Sequence, residues 1–315
     1  MLGEMDQFLN QPAPCRVIVL GGASWNLMVR MAELPGDRPA TIQDCTWFEA
    51  AGSTGLGKAM ALAALGYRPV LHATLGEDDA GDRIRALCDS RGITLIADKD
   101  PAGTARHLNL MDHDGRRISI FLSNGSSAPD VDMTAITTPI LDAQTIFLGI
   151  TASSLPLLPL LRESDAEILV DLHDYDGISP WHAPFIACAD VVQVSDEQLS
   201  APSVQANAWL SQGKRQVIVT RGADGATIHS PFSKTDVPPV STLVKDANGA
   251  GDVFSVALWH AERMGAGPDL AGSFAALAAA ATLSTTDLVP PDLRARIREL
   301  ARGSIADPAL GSHTA

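Results

Sequence analysis

The chain has 315 residues, of which 46% are hydrophobic and 19% are charged, so it can bury an ordinary globular core. Its net charge of −14 argues against nucleic acid or an anionic membrane as a partner, because phosphate groups repel such a surface. The four cysteines are scattered without a C-x-x-C pair, which favours reduced thiols in the cytoplasm. We expect no signal peptide, and the alanine-rich run 270–283 is too short to span a bilayer.

Aliphatic runs followed by helical patterns predict alternating strands and helices in the first third of the chain. The predicted strands are 16–20, 70–74 and 93–96, and the predicted helices are 56–65 and 80–90. Gly66 follows the first helix at the position where glycine commonly ends a helix. This order is typical of a parallel sheet with right-handed crossovers, so we predict an α/β fold with a mostly parallel central sheet.

An antiparallel hairpin interrupts this order. Its strands are predicted at 106–112 and 117–123, with a strong turn signal at Asp114-Gly115. Together with the β-leaning segment 40–48, the hairpin could form a small β lid over a cleft. Arg106 and Arg117 lie on this hairpin, and solvation of an exposed sheet edge is the alternative to a binding role for them.

From Asp130 onward the α/β pattern resumes. The predicted strands are 145–148, 167–171, 191–194 and 216–220, and the predicted helices are 268–283 and 292–302. His173, Asp174 and Asp176 follow one of these strands. Their spacing is poor for metal ligation, so a solvated loop is the simpler interpretation.

Residues 52–59, Gly-Ser-Thr-Gly-Leu-Gly-Lys-Ala, nearly match the phosphate-binding pattern G-x-x-x-x-G-K-[ST]. Ala59 stands where a hydroxyl is needed to hold Mg²⁺, and no clear buried strand precedes the segment, so we reject a P-loop. A dinucleotide fingerprint fails because the glycine spacing is wrong. The segment is better interpreted as a glycine-rich turn that opens a helix and lets a sugar or another small ligand approach closely.

The stretch Asp246-Ala247-Asn248-Gly249-Ala250-Gly251-Asp252 precedes an amphipathic helical pattern. The amides of Gly249, Ala250 and Gly251, with the helix dipole, would cradle a phosphate. Asp252 on the first turn would place a carboxylate in the same space, which is what phosphoryl transfer to a hydroxyl requires. Taken alone, the stretch is also compatible with a glycine-rich turn in which Asp252 only caps the helix.

Four features in chain order resemble the ribokinase-like, or pfkB, carbohydrate kinase family. They are Gly21-Gly22 after the first strand, the turn 52–57 before a helix ending Leu65-Gly66, Gly76-Glu77-Asp78 with Gly81, and the stretch 246–252, which resembles D-T-x-G-A-G-D. Thr220-x-Gly222-x-x-Gly225 is similar to the family's nucleotide-side turn. The resemblance covers about residues 16–284, and it favours the catalytic interpretation of Asp252.

This resemblance implies a three-layer sandwich with a β lid that often makes a dimer contact. It also implies transfer of the γ-phosphoryl group of ATP, with Mg²⁺, to a hydroxyl of a sugar or sugar derivative, usually a primary one. Asp252 would then be the general base, and the amides of residues 249–251 the anion hole. The other expected roles are substrate binding by Asn26, Gly52, Ser53 and Arg106, nucleotide binding by Thr220, Gly222, Gly225 and Asn248, and metal binding by Glu197. Any requirement for a monovalent cation is left open.

The expected domain boundaries follow the same resemblance. The core would comprise 15–34, 51–103 and 124–303, the lid 35–50 and 104–123, and flexible tails 1–14 and 304–315. A homodimer through the lid is the expected assembly.

Three positions depart from the family pattern. Asn26, otherwise a turn asparagine, stands where many members carry aspartate, and Gly57 stands where the turn has asparagine. Both changes favour an unusual substrate. Gln198 ends Ser195-Asp196-Glu197-Gln198, where N-x-x-E is expected, so Asp196 or Glu197 would have to replace the missing carboxylate. A nucleoside kinase is the close alternative to a sugar kinase, and both are favoured over a catalytically weakened binding or regulatory homologue.

Overall fold

The computed structural model describes residues 2–113 and 116–306 of the chain. Its strands are β1 Val17–Leu20, β2 Ser24–Arg30, β3 Thr46–Gly52, β4 Val70–Leu75, β5 Thr94–Lys99, β6 Arg106–Met111, β7 Arg117–Ser123, β8 Thr145–Leu148, β9 Glu167–Asp171, β10 Val191–Ser195, β11 Gln216–Thr220, β12 Ala226–Ser230 and β13 Ser233–Val237. Its α-helices are α1 Leu2–Phe8, α2 Thr54–Ala64, α3 Asp79–Ser90, α4 Met133–Asp142, α5 Leu158–Leu161, α6 Ala183–Cys188, α7 Pro202–Ser211, α8 Ala250–Arg263, α9 Pro268–Leu283 and α10 Leu293–Ala306.

The larger sheet has the strand order β13-β12-β11-β10-β9-β8-β1-β4-β5. The strands from β11 through β5 pair in parallel, whereas β12 and β13 add an antiparallel edge. Every residue of β1 and β8 is buried, because a parallel sheet is covered on both faces. The mostly parallel central sheet predicted from the sequence is confirmed.

Helices cover both faces of this sheet and form two apolar cores. One core contains Leu56 of α2, Val253 of α8 and Phe274 of α9. The other contains Phe185 of α6 and Trp209 of α7, packed against the opposite face. The result is the expected three-layer sandwich.

A smaller sheet with the order β3-β2-β6-β7 forms the lid. Strand β2 pairs antiparallel with β3 and parallel with β6, and β6 pairs antiparallel with β7. Successive side chains of a strand point to opposite faces. The inner face of the lid carries Asn26, Met28, His107, Asn109, Arg117, Ser119 and Phe121, and the outer face carries Leu27, Val29, Trp47, Leu108, Leu110, Ile118 and Ile120.

The lid includes a segment that we assigned to the core. Residues 15–34 are expected to belong to the core, yet Ser24–Arg30 is strand β2 at the centre of the lid sheet. The polar residues Ser24 and Asn26 hide the strand pattern, because Asn26 lines the cavity and Ser24 is buried. The antiparallel strand β13 is likewise absent from the predicted elements.

The N-terminal segment, expected as a flexible tail, contains helix α1. Met5 and Phe8 of this helix are buried, and the Phe8 ring lies 5.4 Å from the Phe274 ring in an edge-to-face contact. At the other end, α10 continues to Ala306, three residues beyond the expected core boundary. The predicted turn Asp114-Gly115 and residues 307–315 of the predicted tail lie outside the described residues. Among the helices described, none combines the length and apolar character needed to cross a membrane.

Candidate active site

A cavity of about 780 Å³ opens between the larger sheet and the lid. The carboxyl ends of β9 and β10 contribute Asp171 and Ser195 to its wall, and the lid contributes Asn26, His107 and Phe121. Ligands in open α/β sheets bind outside the carboxyl ends of the strands, so this is the expected place for a site. The stretch 246–249 and the N-terminal residues Gly251 and Asp252 of α8 complete the wall.

Two residues of the turn before α8, Gly249 and Gly251, line the cavity. Gly249 precedes the helix with φ of 78°, a left-handed conformation, and a Cβ there would stand 2.2 Å from the Leu288 carbonyl oxygen. The first amides of a helix have no partner within it, and the helix dipole is positive at that end. This geometry is compatible with the anion-binding role that the sequence predicts, so we call residues 249–251 the anion-binding turn.

Asp246 holds this turn in shape. Its Oδ1 accepts hydrogen bonds from the Asn248 backbone N–H at 2.9 Å and from the Asn248 side-chain amide at 2.6 Å. The backbone N–H of Lys245 donates to the Leu283 carbonyl at the end of α9 at 2.7 Å. Burial raises the pKa of the Asp246 carboxyl, and its hydrogen bonds with Asn248 oppose that rise.

Asp252 lies at the base of the cavity on the first turn of α8, with only 6% of its surface exposed. Its Oδ1 accepts a 2.5 Å hydrogen bond from the ammonium of Lys58, which is also 6% exposed. The ammonium donates a second hydrogen bond, of 2.9 Å, to Oδ2 of Asp171. Burial raises the pKa of Asp252, and the Lys58 charge opposes that rise.

Asp171 is fixed from several sides. Its Oδ2 also accepts a 3.1 Å hydrogen bond from the Gln193 side chain, which in turn donates to the Gly251 carbonyl at 3.2 Å. The backbone N–H of His173 donates to Asp171 Oδ1 at 3.0 Å. Burial alone would raise the pKa of the Asp171 carboxyl, but Lys58 and His173 lower it to about 2.

The predicted sugar-side residues Asn26, Gly52 and Ser53 all line the cavity. Asn26 lies on β2 opposite Ala50, and its Oδ1 accepts a 3.1 Å hydrogen bond from the His107 backbone N–H. Ser53 stands between β3 and α2 with φ of 73°, and His173 across the cavity has φ of 55°. Non-glycine residues in this backbone region are uncommon and cluster at functional sites.

The inner face of the lid carries an aromatic pair. The rings of His107 and Phe121 lie 4.1 Å apart, and both residues line the cavity. Phe121 is 61% exposed, so one ring face is available to a ligand. Burial lowers the pKa of His107, and the nearby Arg117 lowers it further, so the ring is neutral at pH 7.

Two arginines of the lid contact the loop that leads into the anion-binding turn. Arg30 of β2 donates to the Lys245 carbonyl at 2.7 Å, and Arg117 of β7 donates to the Asn248 side-chain oxygen. Arg117 lines the cavity, whereas the predicted ligand Arg106 lies outside its wall and pairs with Glu49 at 2.8 Å. The lid therefore brings Arg117, rather than Arg106, towards the site.

Of the residues predicted to bind the nucleotide or the metal ion, only some lie in the cavity wall. Asn248 and Glu197 line the cavity, but Thr220, Gly222 and Gly225 do not. Thr220 is the register partner of Ser195, which does line it, so the loop after β11 adjoins the site.

The residues that sequence reasoning missed are Lys58, Asp171, Gln193, His107 and Phe121. The segment after β9 was interpreted as a solvated loop, yet His173 and Asp174 line the cavity. Alternation of apolar and polar residues in 117–123 could have placed Phe121 on the face of Arg117 and Ser119, which is the inner one. The buried pairing of Lys58 has no such local signal.

Comparisons with known proteins show the family of this chain. The family model for pfkB family carbohydrate kinases matches residues 186–293. Acarbose 7(IV)-phosphotransferase of Actinoplanes sp. is 30% identical over 247 residues, which are 76% of this chain and 82% of that relative. These similarities define a phosphotransferase of the carbohydrate kinase class, with an alcohol group as acceptor. The chain belongs to the pfkB family of carbohydrate kinases.

Solved structures show the same fold. A microbiome-derived acarbose kinase superposes with a TM-score of 0.77 at 24% identity and covers 91% of this chain and 100% of its own. Arabidopsis thaliana ribokinase, complexed with ribose and ATP, superposes with a TM-score of 0.74 at 19% identity and covers 91% of this chain and 99% of its own.

Proposed function

We propose that this protein transfers the γ-phosphoryl group of ATP to a primary hydroxyl of a sugar or sugar derivative, with Asp252 as the general base. The observation that carries the proposal is the position of Asp252, which lines the same cavity as Gly249 and Gly251 of the turn at the N-terminus of α8. This combination supports phosphoryl transfer because one element accepts a proton and the other holds the transferring group.

In this reaction the acceptor hydroxyl gives its proton to Asp252 as its oxygen attacks the γ-phosphorus. The new oxygen–phosphorus bond forms while the bond to the β–γ bridging oxygen breaks, and ADP leaves with that electron pair. The amides of residues 249–251 stabilise the charge on the transferring group. Since Lys58 binds Asp252 Oδ1, we assign Oδ2 to the acceptor proton.

The acceptor would lie between Asn26 and the aromatic pair His107–Phe121. The side-chain amide of Asn26 can bind sugar hydroxyls, and the exposed ring face of Phe121 can cover the apolar face of a sugar ring. The relative from Actinoplanes acts on acarbose according to its name, so we include oligosaccharide derivatives among the acceptors.

Magnesium would enter with the nucleotide. Among the described residues, no group of three or more histidine, cysteine, aspartate and glutamate side chains could hold a metal ion. Magnesium commonly binds through one or two carboxylates, several waters and substrate phosphates, and Glu197 in the cavity wall fits that limited role. When bound, the ion would neutralise phosphate charge.

A nucleoside kinase is the second candidate. The observation that favours it is the His107–Phe121 pair, because an aromatic face can also stack on a nucleobase. A non-catalytic binder is less consistent with the site, since ligand binding alone does not require a buried carboxylate at the anion-binding turn.

The decisive experiment is ADP release from Mg-ATP with a panel of sugars, sugar acids, sugar phosphates, oligosaccharides and nucleosides. Activity on one class identifies the acceptor. Asp252→Asn should lower kcat by about 10²–10⁴-fold while nucleotide binding persists. Asp269→Asn is the matched control, because Asp269 is an exposed aspartate on the first turn of the next helix, α9. Unchanged kcat in Asp252→Asn would overturn the assignment.

We also propose that the protein works in the cytoplasm, where its four free thiols would stay reduced.

Two copies would pair through the outer faces of their lids. Trp47 is 68% exposed and Ile120 42% exposed on a sheet face rich in apolar residues, which favours a covering partner. Light scattering should give a dimer that Ile120→Asp converts to a monomer. Leu141→Asp, at an exposed leucine of α4, is the control. A monomeric wild type would contradict the pairing.

A further inference from the structure

Three elements bring one ammonium and two carboxylates together beneath the cavity. Lys58 projects from α2, Asp171 ends β9, and Asp252 lies on the first turn of α8. All three side chains are at least nine-tenths buried. The ammonium lies 2.9 Å from one carboxylate and 2.5 Å from the other, and it is absent from the cavity wall.

The charges in this cluster do not balance when all three groups are ionised. One positive charge faces two negative ones, so the cluster carries an excess negative charge in a buried place. Uncompensated buried charge is unfavourable, and a proton arriving at Asp252 would neutralise the excess. Asp171 thus shares the ammonium and prevents it from neutralising Asp252 completely.

We propose that Lys58 and Asp171 are positioning residues that act as an opposed pair and set the basicity of the Asp252 carboxylate. The inference deepens the proposed function and rests on it, since it concerns the same general base. Lys58 keeps the buried carboxylate ionised and holds its Oδ1, while Asp171 keeps it able to accept a proton. Gln193 supports the pair because it bonds both Asp171 and the Gly251 carbonyl.

The titratable groups that face Asp252 are Lys58 from α2, and Asp171 and His173 from the end of β9. The Lys58 charge lowers the pKa of Asp252, whereas the Asp171 charge raises it. A general base works only when ionised, so kcat/KM falls as pH drops below that pKa. Removal of the Lys58 charge should therefore move this fall, the acidic limb of the kcat/KM profile against pH, to higher pH. Removal of the Asp171 charge should move it to lower pH.

The test uses Lys58→Met, Asp171→Asn and the double variant in the full-length protein. Each single change should move the acidic limb of kcat/KM by about one pH unit, in opposite directions. The double variant keeps the net charge of the cluster, so its limb should return towards that of the wild type. Lys58→Arg, which keeps the charge, should also stay near the wild-type limb. Thermal unfolding confirms that each variant is folded.

A second readout does not need turnover. In protein labelled with ¹³C-aspartate, the carboxyl resonance of Asp252, assigned by its loss in Asp252→Asn, reports the same pKa directly. Opposite shifts of the Asp252 pKa in the two single variants support the inference even if no acceptor is phosphorylated. A lack of phosphorylation would instead contradict the proposed kinase activity. Shifts in the same direction, or no shift in folded Asp171→Asn, would overturn it.

Discussion

Gly57 and Asp252 face each other across the N-terminal turns of two helices, so closely that a Cβ added to Gly57 would stand 2.6 Å from Asp252 Oδ2. Side chains essentially never approach at that distance, so either the carboxylate or the helix would have to move. Lys58, the next residue, fixes the other carboxylate oxygen. The absence of a side chain at position 57 therefore leaves room for the Asp252 carboxylate, and the ammonium at position 58 binds that same carboxylate.

Gly57→Ala should lower kcat by about 10²-fold, because the added methyl group displaces the oxygen assigned to the acceptor proton. The KM for ATP should change little, since the anion-binding turn is untouched. Steady-state kinetics against both substrates checks this. Gly36→Ala, at an exposed glycine with no atom within 4 Å of the added Cβ, is the control. Equal kcat in Gly57→Ala and wild type would contradict the proposed contact.

Arg117→Met should lower kcat/KM for ATP by about tenfold, because the guanidinium supports Asn248 beside the anion-binding turn. Arg106→Met is the comparison on the same sheet. Its guanidinium pairs with Glu49 outside the cavity wall, so its kinetics should stay near wild type. If Arg106→Met lowered kcat/KM more than Arg117→Met does, the sequence-based prediction of Arg106 as the binding arginine would be supported instead.

Phe8→Ala should destabilise the protein by about 3–5 kcal/mol, because a fully buried aromatic ring is lost from the contact with Phe274. Chemical denaturation measures the free energy of unfolding. Gln7→Ala changes the exposed neighbour on the same helix and should have little effect. A Phe8→Ala protein as stable as Gln7→Ala would restore the interpretation of residues 1–14 as a flexible tail.

His260 should make stability depend on pH. Its ring is buried between the Phe8 carbonyl at 2.7 Å and the Tyr67 hydroxyl at 2.8 Å, and burial lowers its pKa. The unfolded chain binds a proton at this histidine below about pH 6.5, and the folded chain binds one only at lower pH, so folding becomes less favourable as pH falls. The slope should reach at most about 1.4 kcal/mol per pH unit.

The difference in unfolding free energy between wild type and His260→Gln isolates this contribution from those of the other histidines. The stability advantage of the wild type should shrink between pH 7 and pH 5. A constant difference over that range would show that His260 does not titrate on unfolding.

Much of the larger sheet was predictable because its strands are continuous apolar runs. The predicted bounds 145–148, 167–171 and 216–220 are those observed. Strand β2 was missed because a strand of the lid buries polar side chains against a cavity, which disturbs the expected alternation. The turn before α8 has its pattern in seven adjacent residues, so the start of this helix could be predicted from a local pattern.

The partners of Lys58 could not be predicted in this way. Asp171 and Asp252 lie 113 and 194 residues further along the chain, and no local spacing connects them to α2. The P-loop pattern contains a lysine that binds phosphate, whereas in the folded chain Lys58 binds two carboxylates. The lid residues Phe121 and His107 face the site only because β6 and β7 pair in one particular register.

Arg30 and Arg117 connect the lid to residues 245 and 248. This connection supports the loop before α8 from the lid. In the proposed reaction, a lid displaced by an ill-fitting acceptor would withdraw this support from the loop that leads into the anion-binding turn. Binding of the acceptor and positioning of the nucleotide would then be coupled. Such coupling would suppress hydrolysis of ATP by water, and the rate of that hydrolysis is expected to rise when both arginines are replaced.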